Sequence, residues 1–310
     1  MRLVVTLACV TTFACNGLVP LQSDFSTPES PTNDPARVEL GRRLFHEKAL
    51  SGDGTLSCAS CHDLTKYGVD GKKTSVGIGG RVLRRNSPSV LNAAGHLAQF
   101  WDGRKPDVEA QALGPIFSPD EMGMADEAVL ISALERAGYT DAFRAAFAGE
   151  ASPLNAKSVG LAIGAFERTL ATRAPIDDFL EGKAEALTAA QLRGFDRFNQ
   201  LGCVNCHAGR LVGGDRYRKL GDELPWTDER DPGRYEVTKN PTDRQVFKVP
   251  SLRNVAKTAP YFHDGSVETL REAVTLMGHH QLGLTLSDDD VSSLVEFLDA
   301  LTGQTSQPAP

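Results

Sequence analysis

Cys58-Ala59-Ser60-Cys61-His62 and Cys203-Val204-Asn205-Cys206-His207 are two copies of one pattern, C-x-x-C-H. This is the attachment pattern for c-type haem. Two thiols at this spacing reach the vinyl groups of one porphyrin as thioethers. The adjoining His then lies under the ring and can ligate the iron. A zinc site would bring two C-x-x-C knuckles together and has no need of a His directly after each. Redox-active dithiols of the thioredoxin kind follow a strand, and no βαβ pattern surrounds these. Of the six cysteines only Cys9 and Cys15 lie outside the two motifs, both in the N-terminal leader, so none is left for a structural disulfide.

Outward from the motifs, 310 residues give room for two ordinary domains, one for each. The formal net charge of −7 offers no basic footprint for nucleic acid and would suit a basic redox partner. Met1-Arg2, the apolar run from Leu3 to Ala14 and the small residues at its end read as an export signal over 1–15, too short to span a bilayer. Cys15 stands where a lipoprotein carries its lipid, whereas Thr12 occupies a place that is usually aliphatic. A lipid-anchored form and a soluble periplasmic form therefore both remain open. Haem c is assembled outside the cytoplasm, which agrees with export in either form. Residues 16–34, rich in Ser, Thr, Pro and Asn, read as a flexible linker, and 304–310 as a disordered tail.

Between these ends the expected fold is all-α: two cytochrome-c-like helical domains, 35–174 and 175–303, each with one covalent haem c and long irregular loops. Asp34-Pro35 is a helix start, with the helix running to about His46. Helices are expected over 107–113, 126–136, 139–148 and 155–172, the last with Val159, Ala162, Ile163, Phe166 and Leu170 in one apolar stripe. Thr188 and Gln191 form a capping box, and Ser287 with Asp288, Asp289 and Asp290 opens the final helix. The glycine-rich stretch 68–80 should be a loop over one haem face, and 208–250 should be irregular. Gly41 and Phe45 before the first motif are echoed by Gly194 and Phe198 before the second, a faint repeat that would let two helices cross closely in each half.

Several longer stretches resemble the bacterial di-haem cytochrome c peroxidase family, which includes the MauG-type proteins. They are Arg85-Asn86-Ser87-Pro88, Phe100-Trp101-Asp102-Gly103-Arg104, Pro119-Asp120-Glu121-Met122, Phe247-Lys248-Val249-Pro250-Ser251-Leu252-Arg253-Asn254 and Thr258-Ala259-Pro260-Tyr261-Phe262-His263-Asp264-Gly265. The resemblance covers roughly 35–303. It implies a peroxidatic haem in the N-terminal half and an electron-entry haem in the C-terminal half. His62 and His207 would be the proximal iron ligands. Met277, in Ala273-Val274-Thr275-Leu276-Met277, would be the distal ligand of the second haem, with His279 and His280 as nearby rivals. A thioether ligand raises the potential, which suits electron entry; MauG-type proteins use a Tyr there.

In the peroxidatic pocket the resemblance assigns Glu121 as acid/base and Gln111 as the group that orients peroxide, ten and twenty residues after Trp101 in reverse order. Trp101 would lie between the haems. The plainer readings are a carboxylate at a helix start for Glu121, ordinary core for Trp101, and a core or loop Met for Met277. The resemblance also implies a calcium ion between the domains, held by the side chain of Asn86 and the carbonyls of Thr258 and Pro260. In many members a His in the glycine-rich loop blocks the peroxidatic iron until the other haem is reduced. Here Ile78 stands at that position and cannot ligate iron, so an open site active without reductive activation is expected; His96 is the one substitute. The expected activity is reduction of hydrogen peroxide to water, with electrons from a small cytochrome c or cupredoxin. MauG-like oxidation of another protein or small molecule and plain di-haem electron transfer are the alternatives. Monomer and homodimer are both left open.

Overall fold

Asp34 begins the first element of the computed structural model, which describes residues 34–305. Its carboxylate accepts a hydrogen bond from Ala36 N at 2.9 Å and Pro35 fills the first turn of α1 (Pro35–Phe45), a cap worth about 1 kcal/mol. The first half continues with α2 (Val108–Phe117), α3 (Glu127–Arg136), α4 (Thr140–Ala146) and α5 (Ala156–Glu167). Leu44 and Phe45 from α1, Ile116 from α2 and Ile163 from α5 are completely buried in one apolar cluster that extends to Leu170.

Two helices differ from their sequence expectation. α2 runs to Phe117, four residues further than expected, although Pro115 lies inside it. Proline has no N–H to give to the carbonyl one turn back, so the helix is weakened there and ends soon after. α5 stops at Glu167 instead of continuing to 172. Beyond it the backbone is taken up by Asn92: Asn92 N donates to Leu170 O at 2.9 Å, and Thr172 N donates to Asn92 Oδ1 at 2.9 Å. The segment leaves as strand β1 (Thr172–Arg173).

The second half contains α6 (Pro175–Leu180), α7 (Ala189–Gln200), α8 (Tyr235–Thr238), α9 (Leu270–Leu282) and α10 (Asp288–Asp299). Strands β2 (Tyr217–Lys219) and β3 (Val246–Lys248) pair antiparallel inside the stretch expected to be irregular. Strand β4 (Gln304–Thr305) pairs antiparallel with β1, so the expected tail does not begin at 304. The capping box of α7 is present, Gln191 N donating to Thr188 Oγ1 and Thr188 N to Gln191 Oε1. Ser287 caps α10 in the same way through Asp290. A second apolar cluster runs from Ala174 to Leu301, with Phe198, Leu294 and Phe297 at its centre. The leader, Cys15 and the linker to residue 33 lie outside the described residues.

One close helix crossing organises each half. In the first, a Cβ on Gly41 would stand 1.8 Å from Ala162 O of α5; in the second, a Cβ on Gly194 would stand 1.9 Å from Ser293 O of α10. Only hydrogen fits at either point. Each crossing sets the helix that leads into a C-x-x-C-H motif.

A longer repeat emerges in three dimensions. Residues 86–105 and 248–267 take the same path: Pro88-Ser89 matches Pro250-Ser251, Asn92 matches Asn254, and Phe100-Trp101-Asp102-Gly103 matches Phe262-His263-Asp264-Gly265. Asn92 and Asn254 both adopt positive φ, as do Phe100 and Phe262. Asn86 N donates to His263 O at 2.8 Å, and Lys248 N donates to Trp101 O at 2.8 Å. Asn92 Nδ2 and Asn254 Nδ2 both donate to Thr172 Oγ1, at 2.9 and 3.2 Å. The two halves thus meet about a pseudo-two-fold relation, with Trp101 and His263 as mates in edge-to-face contact, ring centroids 6.5 Å apart.

Candidate haem sites and the cavity between the halves

Each C-x-x-C-H motif is folded by the same tight turn. His62 N donates to Cys58 O at 2.9 Å and His207 N to Cys203 O at 3.0 Å, which brings both thiols and the ring to one side of the backbone. Before the second motif Gly202, at φ 87°, ends α7 in the left-handed conformation and feeds the chain straight into the turn. His62 Nδ1 lies 3.3 Å from Gly68 O. His207 Nδ1 lies among the carbonyls of Val212 and Pro250 without a hydrogen bond of normal geometry. Burial lowers the pKa of both rings, that of His207 to about 4, so both are neutral near pH 7, the form that ligates iron.

The thiols separate haem attachment from its rivals. Burial pushes Cys58 up to about 12 and Cys203 up to about 11. Thiols so raised stay protonated at neutral pH, which disfavours dithiol exchange, a reaction of the thiolate. Among the described residues no group of three or more His, Cys, Asp or Glu side chains converges on one point. Half-buried free thiols paired with a neutral His fit the covalent attachment of a haem at both motifs.

The second motif opens on a large, mainly apolar cavity lined by Cys203, Cys206 and His207. The helix α9, not foreseen from sequence, supplies a wall: Ala273, Val274 and Met277 fall on the face that lines the cavity. Its mixed composition gives a weak amphipathic signal because that face meets a cofactor-sized space and not packed core. His279 is exposed, and His280 Nδ1 lies 3.0 Å from Leu224 O with its ring packed on Trp226. Met277, and neither rival His, is therefore in the cavity wall.

The cavity extends between the two halves. Trp101 lines it, with Nε1 donating to Asn86 O at 2.9 Å. Asn86, Thr258 and Pro260 line it too, and Asn86 Nδ2 donates to Lys72 O at 3.0 Å, which leaves its amide oxygen for another partner. His96, the substitute ligand considered for the first haem, is in this same wall, with Nδ1 2.8 Å from Lys248 Nζ.

Glu121 and Gln111 are not part of this cavity wall. They are linked through α2 and the turn that follows: Met122 N donates to Pro115 O at 3.1 Å and Met124 N to Ile116 O at 2.8 Å, folding the Glu121 segment back on the end of the helix. Burial raises the pKa of the Glu121 carboxyl above its ordinary value, against the opposing pull of Arg104 and a hydrogen bond from Ser118. The glycine-rich loop docks on this segment, Ile78 N donating to Glu121 O at 2.7 Å. The Ile78 side chain packs on Gly123, where an added Cβ would lie 2.9 Å from its Cδ1.

Sequence reading missed three buried ionic features because no local pattern marks them. Arg85 bridges the halves, donating to Asp102 at 2.5 Å and to Asp231 at 2.6 and 2.8 Å. Arg253 and Asp177 form a bidentate pair at 2.8 and 2.9 Å with both side chains buried. Glu167 is buried at the end of α5, where desolvation and the neighbouring Glu109 push its carboxyl up to about 8.

Comparison with known proteins agrees with this geometry. A family model described as di-haem cytochrome c peroxidase matches residues 35–185. The chain is 40% identical to cytochrome c551 peroxidase of Nitrosomonas europaea over 94% of this chain and 87% of the relative. It is 43% identical to cytochrome c551 peroxidase of Pseudomonas aeruginosa over 86% of this chain and 78% of the relative. Among solved structures, a MauG-like protein associated with microbial copper homeostasis superposes with a TM-score of 0.77 at 31% identity, covering 92% of this chain and 93% of that one.

Proposed function

The chain belongs to the di-haem cytochrome c peroxidase family, and from that membership we infer that it reduces hydrogen peroxide to water with electrons delivered by a cytochrome. It is an oxidoreductase that carries two haem c groups. The observation that carries this reading is identity of 40% to a cytochrome c peroxidase along 94% of the chain, with both attachment motifs intact.

When bound, the haems supply the iron at which peroxide reacts and the electrons that reduce it. The protein supplies position and protons. Cys58 and Cys61 would hold the first haem and His62 would ligate its iron. Cys203 and Cys206 would hold the second, with His207 and Met277 available to its iron. Ionised Glu121 takes a proton from one peroxide oxygen and returns it to the other, so that the departing group leaves as water. Gln111 orients the peroxide by hydrogen bonding, and Trp101 assists electron passage between the halves. Each turnover consumes one peroxide, two electrons and two protons and gives two waters. Support for Glu121 comes from its raised carboxyl, since a proton relay works best with a pKa near the working pH.

The finer points of the reading follow from particular residues. Ile78 leaves the first haem without a blocking ligand, so the resting enzyme is active without prior reduction. The freed amide oxygen of Asn86 and the carbonyls of Thr258 and Pro260 would hold calcium, an ion content with few protein ligands and added water. The leader points to the periplasm, where a cupredoxin is the other donor in prospect; a lipid anchor at Cys15 and a homodimer stay alternatives to a soluble monomer. Met277 in the cavity wall favours peroxide reduction over MauG-like oxidation, and Glu121 favours an enzyme over an electron carrier.

The test is peroxide-dependent oxidation of a reduced c-type cytochrome, comparing fully oxidised enzyme with enzyme pre-reduced by one electron, both with calcium. Equal fast rates are expected. Activity only after pre-reduction would overturn the open site, and no turnover in either state would overturn the peroxidase reading.

A further inference from the structure

Lys248 is a buried charge to which peroxide reduction gives no task. It ends β3, is 7% exposed, and its Nζ lies 2.8 Å from His96 Nδ1. Burial alone displaces its pKa, and no carboxylate of the described residues forms an ion pair with it. An ammonium taken out of water without a counter-charge is costly, so the polypeptide by itself lacks an anion at this point. His96 has the matching gap. Because its Nδ1 accepts from the lysine, its hydrogen sits on Nε2, and that nitrogen is buried with no partner. Both side chains line the cavity shared with His207 and Met277.

The repeat gives this pair a meaning. Lys248 is the mate of Asn86 and His96 the mate of Thr258, and the backbone bonds that seat Asn86 and Lys248 are the same, 2.8 Å each. The cavity therefore has two equivalent corners. At one, oxygen atoms of Asn86 and Thr258 can gather a cation. At the other, the chain has built a cation in.

We propose that Lys248, seated by His96, is the counter-ion of a propionate carboxylate of the second haem. The haem bound through Cys203 and Cys206 is the anionic group whose attachment residues line this cavity, and the proposal rests on the di-haem reading. A fixed positive charge beside a haem disfavours the extra positive charge of ferric iron. Lys248 thus acts with the Met277 thioether to keep the second haem at high potential, suited to accepting electrons from a donor. Lys248 is a positioning and tuning residue, remote from peroxide.

Anaerobic redox titration of the two-haem protein, without peroxide, tests this in Lys248→Met, Lys248→Gln and Lys248→Arg. The midpoint of the second haem should fall in the two neutral variants and stay near the parent value in Lys248→Arg, with the first haem unmoved. Loss of the second haem from both neutral variants but not from Lys248→Arg would also support the counter-ion. An unchanged second midpoint in the neutral variants, an equal fall in Lys248→Arg, or a larger shift in the first haem would overturn it. A parent protein holding a single haem would instead remove the di-haem reading, a distinct result.

Discussion

At the scale of the residue, the chemistry turns on side chains whose surroundings set their charge. In the proposed relay Glu121 works as the ionised base, and burial raises its carboxyl above the ordinary value of 4.5. Lowering the pH through that raised value protonates the base. The acid limb of kcat/KM should therefore lie above pH 4.5, and Glu121→Gln should abolish the limb while lowering the rate about 10²–10⁴-fold. Haem content and the absorption spectrum should not change. A variant that retained the limb would assign it to another group. Glu121 and Met277 were legible in the sequence only through motif context. Lys248 and Glu167 were not, because burial of an ionisable group is decided by what the rest of the chain packs over it.

At the scale of the element, helices with strong local signals appear where the sequence put them. Asp34, Thr188 and Ser287 each cap the helix they precede. The failures have physical causes. α9 lacks a clean apolar stripe because its inner face, with Met277, borders a cavity. α5 ends early because Asn92 captures the backbone at Leu170 and Thr172. The two glycine crossings carry a prediction. Gly194→Ala places a methyl 1.9 Å from Ser293 O, and Gly41→Ala one 1.8 Å from Ala162 O. Since backbone is the obstacle, the helices must separate, and each change should cost about 1–3 kcal/mol. Denaturant unfolding of the haem-loaded protein would read this, and a change within 0.5 kcal/mol, roughly the scatter of surface substitutions, would mean the crossing yields freely.

At the scale of the whole molecule, the halves are joined by β1 with β4, by Thr172 between two asparagines, and by Arg85 between Asp102 and Asp231. Arg85→Ala would take the shared cation from two nearly buried carboxylates, with side-chain exposures of 3% and 8%, leaving Asp102 its contact with Arg104 and Asp231 its bond from Gly233 N and a longer contact with Arg84. A loss of about 1.5–3 kcal/mol is expected, and pairing Arg85→Met with Asp102→Asn and Asp231→Asn should recover much of it. Thermal unfolding of the three proteins would decide, and no recovery in the neutral combination would refute the electrostatic cause. Burial raises the Asp231 carboxyl, but the hydrogen bonds from Arg85 and Gly233 N and the charges of Arg85 and Arg84 together outweigh it, and the net value falls below 3.8. A depressed acid stabilises above its unfolded value and loses that as pH falls through the folded one. The bridge should thus hold at pH 5 and fail only below about 3.8, visible as acid-induced loosening of the two halves. If the proposed calcium is held there, chelation should act on the same junction, lowering peroxide turnover while both haems stay covalently bound.

The sequence alone determined the haem attachment, the helical class and most helix starts, since these depend on covalent spacing and on contacts within a turn or two of chain. Only the tertiary structure decided that Met277 and not His279 or His280 faces the second haem cavity, that His96 belongs to that cavity, and that Lys248 lies opposite Asn86 in a repeated frame. Those facts depend on which distant segments share a surface, and residues far apart in the chain carry no local record of where they will meet.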